Sequence, residues 1–173
     1  LGYWNPTSEK YESREPHYIR RPSEFREVES KRPDYKLENI GTSVVCFLES
    51  KAANREQLTG SKQKASKDVE MYIEDDTFCK VLRETEHQYL VGIGTDGLRW
   101  TLYWKNLETG ELTEDAPRVD LSSILASNAR RAGTLEGEPR LTRPEQREKL
   151  LEEFVPTFAA RNLEDHIVRQ QTA

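Results

Sequence analysis

The chain has 173 residues, of which 35% are hydrophobic and 33% charged, with a mean hydropathy of −0.86. That is enough for one domain with a modest core and long polar surface segments, and too little for two full-sized domains. A net charge of −5 excludes a protein that grips nucleic acid with its whole surface and leaves room only for a local basic groove. No run reaches the roughly 18 apolar residues of a membrane helix, and Leu1-Gly2-Tyr3-Trp4 has none of the features of a signal peptide. A cytoplasmic protein without membrane contact is therefore expected. The single methionine, Met71, is internal, so the chain reads as a fragment of a longer one.

Residues 1–32 are dominated by charge, aromatics and the prolines Pro6, Pro16 and Pro22, a spacing that forbids a long helix and predicts extended chain or loop. Asp34 to Leu37 reads as a short strand, Asn39-Ile40-Gly41 as a turn, and Thr42 to Leu48 as a continuous β-prone apolar run buried on both faces. The run stops at Glu49-Ser50-Lys51, which sets charged groups at the tip of a central strand. From Ser61 to Asp75 the residues Ala65, Val69, Tyr72 and Ile73 recur at helical spacing, predicting an amphipathic helix over one sheet face.

Tyr89 to Ile93 and Leu98 to Trp104 are two β-rich runs joined through Gly94-Thr95-Asp96-Gly97, whose Asp-Gly pair suits a type I′ hairpin. A turn at Glu108-Thr109-Gly110 is expected to return the chain along Glu111 to Thr113, and a helix is expected from Val119-Asp120-Leu121 to about Arg131. The resulting division is a domain over 1–131, a Gly/Glu/Pro-rich linker over 132–142, and a helical extension over 143–173 that leads to the next domain of a longer parent. Within the extension, Thr142-Arg143-Pro144-Glu145 has capping-box spacing, Leu150, Leu151 and Phe154 form an apolar stripe, and Pro156 is expected to interrupt the helix before a last piece carrying Phe158, Leu163 and Ile167. The overall expectation is an α/β fold with a mixed central sheet flanked by helices.

The informative constellation is Asp34 followed fifteen positions later by Glu49-Ser50-Lys51. If the two strands form an antiparallel pair, their ends meet. Hydrolysis of a phosphodiester with a hard divalent ion needs carboxylates on the ion, a group that orients water, and a cation for developing phosphate charge. Asp34, Glu49 and Lys51 supply that set, and because side chains alternate on a strand, Glu49 and Lys51 share a face while Ser50 points away and offers its carbonyl as a metal ligand. In a chain with 33% charged residues the same triplet also arises as a plain surface acid and a Glu/Lys pair.

These residues, together with Leu1-Gly2-Tyr3, Arg32-Pro33-Asp34-Tyr35, Val44 to Lys51 and the hairpin Gly94-Thr95-Asp96-Gly97-Leu98-Arg99-Trp100-Thr101-Leu102-Tyr103, resemble the N-terminal nuclease domain of type I and related restriction enzymes in the PD-(D/E)xK superfamily, over roughly residues 1–125. The resemblance implies a restriction-endonuclease-like fold, Mg²⁺ (replaceable by Mn²⁺) held by Asp34, Glu49 and the Ser50 carbonyl, Lys51 as catalytic cation, and DNA as substrate. It also implies partner domains or subunits of a restriction-modification or phage-defence system: a helicase or methyltransferase and a target-recognition unit. Such domains often carry a Gln four positions before a Tyr on the helix after the motif; here Asp68 stands at that spacing before Tyr72, and the nearest glutamine is Gln63.

For DNA contact, Arg55, Lys62, Lys64 and Lys67 form the best basic patch, weighed against an ordinary solvated helix face. Trp100, Trp104, Tyr89 and Tyr103 are expected to pack rather than stack on bases. Cys46 and Cys79 read as buried thiols, and His17, His87 and His166 show no ligand spacing. The leading expectation is a Mg²⁺-dependent DNA endonuclease domain. The alternatives are a non-catalytic nucleic-acid or protein interaction module that keeps the fold, and a plain α/β domain with a chance triplet.

Overall fold

Val44–Ser50 forms a strand because its β-branched and aromatic side chains fit a pleated surface buried on both sides, and every residue of it up to Glu49 is buried. The computed structural model describes residues 18–20, 33–38, 40–51, 65–82, 86–113 and 117–171. In chain order the elements are β1 (Tyr18–Arg20), β2 (Tyr35–Glu38), β3 (Val44–Ser50), α1 (Ala65–Glu74), α2 (Asp76–Leu82), β4 (Tyr89–Thr95), β5 (Arg99–Asn106), β6 (Arg118–Asp120) and α3 (Ser122–Arg131). The C-terminal part adds α4 (Arg143–Lys149), a π-helical turn (Leu150–Phe154), α5 (Val155–Phe158) and α6 (Ala160–Gln171). The six strands lie in sequence order in one mixed sheet. Among the described residues only β3 and β4 pair in parallel, with Val44 beside Tyr89 and Ser50 beside Thr95, so the chain crosses between them through α1 and α2.

The sheet carries a core on each face. On one, Val45 and Phe47 pack with Val69, Tyr72 and Ile73 of α1 and Phe78 of α2, and the Phe47 and Phe78 rings meet edge to face at 5.1 Å. On the other, Val44, Cys46, Leu48, Val91, Ile93 and Leu102 pack with Phe154, Phe158, Leu163 and Ile167. The helices over 143–171 thus supply the second helical layer of this same core. It is also latched: Glu164 accepts hydrogen bonds from the Ser43 N–H (2.8 Å) and the Ser43 hydroxyl, directly over Gly41.

Local signals explain several elements. Thr142 caps α4 as its spacing predicts: its hydroxyl accepts from Glu145 N–H at 3.4 Å, and Glu145 Oε2 accepts from Thr142 N–H at 2.7 Å. Both cysteines are free and buried.

Three expectations are corrected, and one is met. Val119 and Asp120 belong to strand β6, and helix α3 starts at Ser122; a three-residue edge strand with one buried residue leaves no periodicity to read. The return along Glu111 to Thr113 is present as expected: Asn106 N–H donates to Glu111 O at 2.8 Å and Thr113 N–H to Trp104 O at 2.9 Å, on either side of the Lys105–Leu112 bridge. The hairpin closes one residue later than an Asp-Gly turn: Asp96 N–H donates to Arg99 O, its carboxylate accepts the N–H groups of Leu98 and Arg99, and Gly97, at φ +84°, sits at the tip with Leu98. Finally, Pro156 does not interrupt the helix. The π turn before it widens the hydrogen-bond pattern that the proline ring would otherwise obstruct, so the chain stays helical through Phe158 and breaks at Ala159, where ψ is 134°.

Candidate active site

β3 delivers Glu49 and Lys51 to the face covered by α1, continuing the alternation of Val45 and Phe47. What brings α1 close is β4. Its residues Gly92 and Gly94 present bare backbone on that face: a Cβ on Gly92 would overlap Val69 and lie 2.7 Å from Phe47 Cζ, and one on Gly94 would lie 2.9 Å from Ser66 N. With α1 seated on these glycines, Asp68 reaches across to the strand tip.

The result is a charge cluster. Lys51 Nζ lies 2.6 Å from Glu49 Oε1 and 2.6 Å from Asp68 Oδ2. Burial alone would lower the Lys51 pKa, but its hydrogen bonds to Asp68 and Glu49 hold it above the ordinary lysine value, so it stays protonated at any physiological pH. Glu49 is only 4% exposed. Burial pushes its carboxyl above the usual range, opposed by the Lys51 hydrogen bond and reinforced by the charge of Asp34. Its second oxygen, Oε2, is buried with no hydrogen-bond partner among the described residues, which costs about 1–3 kcal/mol in the absence of a ligand. Tyr72, one turn along α1 from Asp68, is pushed up to about 12 by burial and by the negative charge of Glu49 and Asp68.

Asp34 enters from the start of β2, whose antiparallel pairing sets Tyr35 opposite Leu48. Its Oδ2 accepts from the Ser50 N–H at 2.8 Å and from the Ser50 hydroxyl at 2.7 Å. The structure therefore joins Glu49, Lys51 and Asp68 directly, and ties Asp34 to the same strand tip through Ser50. Among the described residues no three Asp, Glu, His or Cys side chains gather tightly enough to ligate an ion, because Lys51 stands between Glu49 and Asp68 while Ser50 occupies Asp34.

Of the basic patch, Lys67 is exposed on α1, and Arg55, Lys62 and Lys64 fall outside the described residues, as do Gln63 and Leu1-Gly2-Tyr3. The aromatic residues pack: Trp100 meets Phe154 and Phe158 edge-on, Trp104 is buried in the core, and the Tyr103 hydroxyl donates to Glu70 at 2.5 Å. Asp68 carries the role that sequence reasoning missed. Its spacing from Tyr72 was visible, but its partner was not, because only the Gly92/Gly94 approach brings helix and strand tip together.

No family model, curated protein or solved structure matches the chain. No helix among the described residues is long and apolar enough to cross a membrane.

Proposed function

We propose that the chain is a divalent-metal-dependent DNA endonuclease domain with a restriction-endonuclease-like fold, from a restriction-modification or phage-defence enzyme whose other parts supply translocation or methylation and target recognition. One observation carries the reading: a nine-tenths-buried glutamate with an oxygen that has no partner among the described residues sits beside a protonated lysine at a strand tip. A carboxylate kept in that condition is explained by a ligand that repays its burial, and a hard cation such as Mg²⁺ is the group such an oxygen suits. Asp34, Glu49 and the Ser50 carbonyl are the residues that would hold it. When bound, a divalent ion polarises a phosphoryl oxygen and lowers the pKa of water.

The chain's own residues divide the remaining work. Lys51 is a fixed positive charge for the phosphate as negative charge develops on it, not a base that removes a proton from water, since two carboxylates keep it protonated. Asp68 positions that ammonium, and Asp34 holds Ser50 and with it the backbone beyond Glu49.

The test is nicking of supercoiled plasmid by the purified chain in Mg²⁺ or Mn²⁺, beside Lys51→Ala and an EDTA control. Metal-dependent cutting that vanishes in the variant supports the reading; cutting at an unchanged rate by the variant defeats it. A second reading, a non-catalytic interaction module, is favoured by the absence of three convergent acids among the described residues. It predicts DNA or protein binding without cutting in any metal, unaffected by Glu49→Ala.

A further inference from the structure

At the tip of β3, three carboxylates stand around one ammonium. Lys51 Nζ lies 2.6 Å from both Glu49 Oε1 and Asp68 Oδ2, and the charges that act on Glu49 include those of Lys51, Asp34 and Asp68. Three nearby cations are themselves engaged: Arg99 Nε lies 3.7 Å from Asp120 Oδ2, Arg118 shares the Tyr103 hydroxyl with Glu70, and Lys36 has a partner of its own. Tyr72, beside the same acids, stays a neutral phenol. The local field therefore favours a cation.

Glu49 divides its two oxygens. Oε1 accepts from Lys51, whereas Oε2 is buried without a hydrogen-bond partner among the described residues. The ammonium thus offsets the buried charge through one oxygen and leaves the other open. A divalent cation at Oε2 meets Lys51 as a like charge on the same carboxylate, and low local polarity makes that repulsion strong. Asp68 changes the balance. It holds the ammonium from the α1 side, so Lys51 can give up Glu49 and remain hydrogen-bonded, charged and at the strand tip. Asp68 acts in this way through Lys51 and not as a ligand, in keeping with the lack of three convergent acids among the described residues.

We propose that Lys51 is the resident counter-ion of Glu49, competing with a divalent cation for it, and that Asp68 is a positioning residue that raises the cation affinity by taking the lysine over. The inference rests on the metal-dependent reading above, but its test needs neither DNA nor cleavage. Mn²⁺ alone is titrated into the purified chain, with free Mn²⁺ followed by electron paramagnetic resonance and the fold by circular dichroism. Asp68→Asn should weaken binding about tenfold and Lys51→Gln should tighten it about tenfold, while Asp68→Glu, which keeps the charge, retains most of the affinity. In the Lys51→Gln background, Asp68→Asn should cost only about threefold, because no lysine is left to return to Glu49. Asp68 lies partly exposed on α1, so its variants keep the core. The proposal is overturned by a wild-type chain that binds no Mn²⁺, by binding that survives Glu49→Gln, by an unchanged affinity in Asp68→Asn, or by equal losses in the two backgrounds. Plasmid nicking with Mn²⁺ affinity unmoved by Asp68→Asn removes the lysine exchange and leaves the nuclease; the expected affinity pattern without nicking keeps the exchange and removes the nuclease.

Discussion

The two faces of the sheet use the same strands for different ends. The face toward α4–α6 is apolar from Leu37 to Ile167, and the residues it contributes do nothing but pack. The face toward α1 begins in the same way, with Val45 and Phe47 against Val69 and Phe78, and then turns to charge at Glu49 and Lys51, where the proposed chemistry sits. On that face the core stops short of the strand tip, so charged groups sit on a rigid foundation without being part of it. Stability and chemistry should therefore be separable by face, except where α1 links the two.

The largest expected effect tests the packing face. On the proposed nuclease reading, Phe158→Ala, at a fully buried side chain between Trp100 and Phe154, should cost about 3–5 kcal/mol in urea unfolding, with nicking per folded molecule unchanged. A parallel fall in specific activity would break the separation. Lys51→Ala should show the reverse pattern, a fold intact by circular dichroism and nicking reduced by about 100-fold or more, the scale for losing one group that stabilises transition-state charge. Gly92→Ala probes the link. The added methyl meets Val69 and Phe47, so it should destabilise by about 1–3 kcal/mol and also lower activity, because α1 must shift and carry Asp68 off Lys51.

The smallest effect belongs to His166, half-buried beside Trp104, whose pKa burial holds below the ordinary histidine value. Its folded pKa lies under its unfolded one, so the unfolded chain takes up the proton first. Stability should then fall as pH drops below about 6.5 and level off below the folded pKa. A comparison of urea midpoints at several pH values for the wild type and His166→Phe should show this component flattened in the variant.

The mixed α/β sheet, the strand ending in Glu49-Ser50-Lys51 and the amphipathic face of α1 were legible in the sequence because each is written in a contiguous pattern of burial. What was not legible depends on neighbours distant in the chain. β6 is too short to carry a period, and the parallel pairing of β3 with β4 has no local signature. The partnership of Asp68 with Lys51 needs two glycines that sit on a third element, and Pro156 reads as a break only if the turn before it is assumed to be α-helical.

That π turn from Leu150 to Phe154 works as a phase shift. An ordinary α-helix advances by about 100° per residue, so the one extra residue held in the wider turn rotates everything downstream by that amount relative to α4. Deleting a residue there would set the Pro156 ring against a regular α-helical pattern and, in the same stroke, swing Phe158 away from Trp100. The segment is thus a place where an insertion is the native state, and where a seemingly tidier helix would open the seam it closes.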